Sequence, residues 1–268
     1  MRRGAISVVF FLAMFAGIAT GANTSKQFVI AKDTQAVTIA QTAIGAMGGT
    51  SALFGYQDGQ ATGSLTVYAA NPAATYPVVL KCKGTQETRV EIQKPTGTNV
   101  RIVNQGQGVI ERSNGTVVRL MMNNTIAERV GHIPILSILG EYLSANVSLQ
   151  YQGAAQVNGQ NATVIVVSYI PATDAVQGPV FAAMTQTLFY VDQATSLIDK
   201  IQYTNYDENN SDSNQKVEVY LSSYQTVNGI YVPFHQTTYT DGTLYSDLVI
   251  NGITFNVGLS DSEFTLPQ

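Results

Sequence analysis

The chain has 268 residues, a formal net charge of −4 and only 12% charged side chains, about half the usual share. That length fits one large domain with room for a sizeable core, and a mildly acidic chain without a basic stretch argues against a nucleic-acid partner. With a single cysteine, Cys82, no internal disulfide can form, so the fold must rest on its core.

The first segment reads as a secretory leader. Arg2 and Arg3 precede an apolar run from Val8 to Ile18, and small residues follow to Ala22. The run is shorter than the roughly 20 apolar residues that span a bilayer. The expectation is a signal peptide over 1–22 with cleavage after Ala22, a mature domain over 23–268 without a transmembrane segment, and a periplasmic location. No cysteine lies near the cleavage region to carry a lipid anchor.

Asp33 is placed to cap a helix over TQAVTIAQTAIGAMGG. At about 100° per residue, Ala36, Val37, Ile39, Ala40, Ala43, Ile44 and Met47 fall on one side, and Gly48-Gly49 ends the helix. Strands are then expected over 60–69, 77–83, 86–93, 99–104, 108–112 and 116–122. After an interruption they resume over 147–156, 160–169, 185–191, 197–205, 216–226, 230–240, 243–252 and 261–266. Asn158-Gly159, Asn228-Gly229 and Asp241-Gly242 are hairpin turns between consecutive strands, which makes the sheet an antiparallel meander. Alternation puts Val217, Val219 and Leu221 on one face, and Leu244, Ser246, Leu248 and Ile250 on one face of the last long strand. Val78, Leu80 and Cys82 share a face too, where the thiol is expected to be buried and inert. ATVIVVSY is apolar on both sides and is expected to be a central, covered strand. The polar run 206–216 is expected to be an exposed loop, with Asp207, Asn209, Ser211 and Glu218 at a loose calcium-loop spacing that lacks the glycine such a turn needs.

Two apolar pieces break the strand pattern. In GHIPILSILGEYL (131–143), Pro134 suits a first helical position. Ile135, Leu136, Ile138, Leu139, Tyr142 and Leu143 form one apolar side, with Ser137, Gly140 and Glu141 opposite. The second piece, IPATDAVQGPVFAAMTQ, brings Val176, Val180, Phe181 and Met184. These pieces suggest a curved sheet closed on its open side.

Catalytic signals are scarce. The histidines, His132 and His235, have no zinc-ligand spacing around them; there is no G-x-S-x-G turn, and GQGVIE lacks the third glycine of a dinucleotide loop. No enzyme activity, metal or cofactor is expected.

The leading amphipathic helix ending in Gly48-Gly49, the G-x-L-x-V strand Gly63–Val67, TRVEI (88–92), LFYVDQATSLIDKIQY (188–203), NGIYVPF (228–234) and the ending GLSDSEFTLP (258–267) together resemble the periplasmic lipoprotein-carrier family, the LolA/LolB-like outer-membrane lipoprotein-sorting proteins. The resemblance implies a mainly β, α+β fold: a single strongly bent antiparallel sheet, an unclosed half-barrel, with the N-terminal helix and a short plug or lid helix on the concave side. It implies a monomeric, non-enzymatic periplasmic protein that carries or senses a lipid or acylated lipoprotein in an apolar cavity, with Ile135, Leu136, Leu139, Leu143, Phe181 and Met184 as the expected lining. The other class is an interaction or envelope-stress sensor module that reads an envelope protein partner without a lipid. One departure stands out: TVYAANP offers Ala69 and Ala70 where the carriers place a basic residue that helps hold the lid.

Overall fold

The computed structural model describes residues 27–130, 133, 136–171 and 175–267. The expected leader lies outside them, as do His132, Pro134 and Ile135.

Helix α1 (Thr34–Ala46) starts where Asp33 predicts. The Asp33 carboxylate accepts the backbone N–H groups of Gln35 at 2.7 Å and Ala36 at 3.2 Å. Ala36, Ala40, Ala43, Ile44 and Met47 are all but fully buried, and three alanines on that face let the helix axis come close to the sheet. The helix ends at Gly48-Gly49 as expected, and the chain then starts a second helix, α2 (Gly49–Gly55). Gly48 has φ +122°, and a Cβ there would stand 2.5 Å from the Gly229 carbonyl oxygen, so the break needs glycine.

Thirteen strands form one antiparallel sheet. They are β1 (Asp58–Val67), β2 (Ala74–Lys83), β3 (Glu87–Lys94), β4 (Gly97–Asn104), β5 (Gln107–Glu111), β6 (Val117–Arg119), β7 (Val147–Val157), β8 (Gln160–Tyr169), β9 (Thr187–Asp192), β10 (Ile198–Asp207), β11 (Asn210–Val227), β12 (Ile230–Thr240) and β13 (Thr243–Phe255). The order across the sheet is β6-β5-β4-β3-β2-β1-β13-β12-β11-β10-β9-β8-β7. The chain thus begins in the middle, runs outward to one edge, crosses to the other edge and winds back until β13 meets β1.

The crossing runs over residues 120–146 and contains α3 (Met122–Val130) and a 3-10 turn (Ile138–Glu141). Helix α3 touches β3, β4 and β5 and also β10. In a flat sheet β3 and β10 would lie six strand spacings apart, roughly 29 Å. One helix can touch both only because the sheet is strongly bent around it. The sheet is therefore the expected unclosed half-barrel.

Five expectations are corrected. The expected helix over 134–143 is, in its described part, the short 3-10 turn. The helix of the crossing is α3, and the expected strand 116–122 is cut to β6 (Val117–Arg119), with its last residue, Met122, opening the helix. The apolar spacing of α3 is sparse, Met122, Ile126 and Val130, and its buried positions also include the polar Asn123, Asn124, Thr125 and Arg129. The polar run 206–216 is not a loop: Thr204 pairs with Lys216, Asn205 with Gln215 and Tyr206 with Asn214, so the ladder runs through it. Residues 261–266 make a 3-10 turn (Asp261–Phe264) rather than a strand, because both neighbours of β13 are already taken. Its Phe264 is fully buried with Val100, Ile102 and Val109 on the outer face of the sheet. The second apolar piece forms α4 (Gln177–Met184). β8 is covered on both faces, with Ala162, Val164, Ile165, Val166 and Val167 buried, but it is the next-to-last strand and not a central one.

Candidate functional site

Helix α3 divides the inside of the bend. On one side, α1, the 3-10 turn and the inward faces of β7–β12 close into the main core, to which α3 gives Ile126. On the other side lies a cavity of about 420 Å³, to which α3 gives Ala127 and Glu128. That volume is within the roughly 300–1,000 Å³ of small-molecule sites.

Period-two alternation builds the walls. Val78 and Leu80 of β2 face Ile92 and Val90 of β3, and Leu65 of β1 faces Leu248 of β13. Across the concavity stand Val217 and Val219 of β11, beside Thr240 and Thr238 of β12. The floor is aliphatic because every second residue of these strands is. Where β12 meets β13 the register slips between Thr238 and Tyr239, so that Tyr245 is the extra residue of a bulge. Tyr245 and its neighbour Ser246 thus both line the cavity.

The polar groups are unevenly placed. Arg101 on β4 pairs with Glu128 on α3 at 2.7 Å. Glu128 raises the Arg101 guanidinium further above its ordinary range. Burial pushes the nearby Tyr203 phenol up, with Glu128 adding to the effect, so it stays neutral. Lys94 and Arg112 also line the cavity, at the end of β3 and just after β5. The Lys94 ammonium lies 5.5 Å from the centre of the Tyr76 ring. Among the described residues neither cation has a carboxylate within ion-pair distance.

The structure places the expected lining residues elsewhere. Leu136 and Leu139 are buried in the main core, Leu143 is 68% exposed, and Phe181 and Met184 are half-buried on and at the end of α4. Ile135 lies outside the described residues. None of the described five lines this cavity. Glu141, expected on a polar outer face, is buried: it binds the Arg129 guanidinium and accepts from the Thr85 hydroxyl at 2.8 Å, while Arg129 Nε donates to the Thr85 carbonyl at 2.8 Å. Sequence reasoning missed Lys94 and Arg112. Their signal is modest: each stands two residues beyond an apolar inward position, Ile92 and Ile110, on the same face of its strand.

Three other groups bear on chemistry. Ser222 Oγ lies 3.2 Å from His235 Nδ1, His235 Nε2 lies 2.8 Å from Asp247 Oδ1, and Thr237 donates to the same carboxylate at 2.8 Å. These residues alternate with the cavity-facing Gln236, Thr238, Ser246 and Leu248, so the cluster lies on the outer face, with Ser222 exposed. The ladder register makes them cross-strand neighbours, which accounts for their contacts. At the loose calcium-loop spacing, Glu218 is held by Lys200 at 3.1 Å and Lys216 at 2.9 Å, and Asp207 accepts from the backbone of Asn209 and Asn210. Burial pushes the Cys82 thiol up to about 11, which keeps it unreactive at neutral pH.

No protein-family profile matches the sequence, and neither does any curated protein. Solved structures do match the fold. An outer-membrane lipoprotein-sorting protein domain, so assigned, from Vibrio parahaemolyticus superimposes with a TM-score of 0.54 at 13% identity, over 86% of this chain and 96% of that one. A LolA-superfamily protein from Nitrosomonas europaea gives 0.55 at 13% identity, over 86% and 97%. A DUF1329-family protein from Desulfovibrio piger gives 0.56 at 12% identity, over 86% and 97%. The chain has the LolA-like fold that its sequence motifs resemble.

Proposed function

We propose that the protein is a non-enzymatic binder that holds the acyl chain of a lipid, or of an acylated protein, in the cavity between the two halves of the bent sheet. It would act outside the cytoplasm after loss of the leader over 1–22. The cavity carries this reading: a concavity of about 420 Å³ with an aliphatic floor, left unfilled while the rest of the concave side is packed. Each CH₂ group transferred to such a floor contributes about 0.8 kcal/mol. The fold of the lipoprotein-sorting domain is in keeping with it.

The test is titration with a fluorescent fatty-acyl probe. The unaltered protein is expected to bind it. Leu65→Trp, at a half-buried position in the cavity wall, is expected to weaken binding at least about tenfold by filling the space. Val249→Trp, 45% exposed on the outer face, is expected to bind as the parent does. Absence of binding by the parent, or equal binding by Leu65→Trp, overturns the reading.

A further inference from the structure

The cavity is cationic in a chain that is acidic overall. Its lining holds Lys94, Arg101 and Arg112 against a single carboxylate, Glu128, which Arg101 already uses. The chain as a whole has 18 acidic and 14 basic side chains, so a surplus of two cations in one concavity is not a reflection of composition.

The surplus is localised. Arg101 sits against α3 and is neutralised there. Lys94 closes β3, and Arg112 follows β5, with Asn99 of β4 on the strand between them. From the register they stand two strand spacings apart and one two-residue step out of line, roughly 12 Å between Cα atoms. Long side chains from both can converge on one group between them. A ring face supports the Lys94 ammonium without discharging it.

Resting on the reading above, we propose that Lys94 and Arg112 receive the phosphate of a phospholipid-type amphiphile whose acyl chain lies along the aliphatic floor. Phosphate suits the planar fork of arginine and the compact charge of lysine. The apolar floor next to them fixes where the chain goes.

Calorimetric titration compares lysophosphatidylglycerol with a monoacylglycerol of the same chain and with glycerol phosphate. The phospholipid is expected to bind at least about tenfold tighter than the neutral lipid, as charge-assisted hydrogen bonds to phosphate require. Glycerol phosphate alone is not expected to bind detectably. In Lys94→Gln/Arg112→Gln the ratio of the two lipids should fall to near one. In the unaltered protein, where folding is not in question, the ratio should shrink as ionic strength rises. Binding of both lipids with no preference, or a preference that survives the double substitution, overturns the head-group site and leaves the acyl-binding reading standing. Failure of both lipids to bind overturns the two together. Tight binding of glycerol phosphate alone overturns the lipid as the source of the phosphate.

Discussion

Asp199 shows how one side chain sets a pH dependence. Burial pushes its carboxyl up to about 6, and the nearby Asp192 adds to the shift. An unfolded aspartate titrates near 4, so between about pH 4 and pH 6 the folded state binds the extra proton. The contribution of Asp199 to stability therefore falls as pH rises through that window and is at its worst above it. Asp199→Asn is expected to leave the melting temperature unchanged near pH 4 and to raise it above pH 6.5. A difference between variant and parent that stays constant from pH 4 to 7, measured by thermal melts in matched buffers, would sink this assignment. Leu139 makes a contrasting case. Alternation around a helical wheel puts it on an apolar face but cannot say what that face meets. Fully buried in the main core, in a turn that packs on β8 and α3, it is a packing residue. Leu139→Ala should cost about 2–5 kcal/mol in denaturant melts by leaving a void. A loss well under 1 kcal/mol would show that the site is not close-packed.

At the level of elements, the crossing between the sheet edges was the least legible part of the chain. The strands announce themselves by period two and by Asn-Gly and Asp-Gly turns, and the observed strands lie within a few residues of those expected wherever the alternation is clean. Helix α3 shows only the sparse apolar spacing of Met122, Ile126 and Val130, because polar contacts do much of the holding. Asn124 donates to the Tyr206 carbonyl and to Glu208, both at 2.6 Å, and accepts from the Tyr206 N–H at 3.0 Å. At the other end, Arg129 meets Glu141 and Thr85. Such pairs have no period in sequence; they exist only once β2, β3, β10 and the 3-10 turn have come together. The same reasoning explains why the walls of the cavity were partly readable and the site was not. Val217, Val219 and Leu248 could be assigned to packed faces, but which faces oppose one another depends on the curvature of the sheet. The buried pair gives a sharp test. Glu141→Ala strands the Arg129 guanidinium, 4% exposed, and should cost about 3–5 kcal/mol. Arg129→Met combined with Glu141→Leu should recover most of that loss, since an apolar pair of similar size removes both desolvated charges. If the single substitution is neutral in urea melts, the pair is not buried as described.

For the molecule as a whole, the sheet order carries most of the information. The hairpin signals were enough to foresee an antiparallel meander, and the family resemblance foresaw the bend. Nothing local in the sequence told that the meander starts in the middle. Both edges are protected. β6 has only three residues, and the stretch before α1 lies along β7, with Asp33 N–H donating to the Leu149 carbonyl at 2.9 Å and Leu149 N–H to the Ala31 carbonyl at 3.0 Å. Each other strand pairs with a neighbour in sequence, joined by a short turn or, between β8 and β9, by α4. The exception is the seam of β1 and β13, where Gly59 meets Phe255 and Val67 meets Ser246. At that seam a Cβ on Gly63 would stand 2.4 Å from the Val249 carbonyl oxygen, so the two backbones are in direct contact. The order of events during folding follows from this. β1–β6 and β7–β13 can each zip up by successive hairpins, with little entropy lost to loop closure at any step. The seam must bring together segments from near the two ends of the domain, which is the slow kind of contact. β13 leaves the ribosome after the other twelve strands, so each nascent chain carries an open β1 edge until β13 has emerged. The concavity between the two halves of the sheet is complete only once that seam has closed.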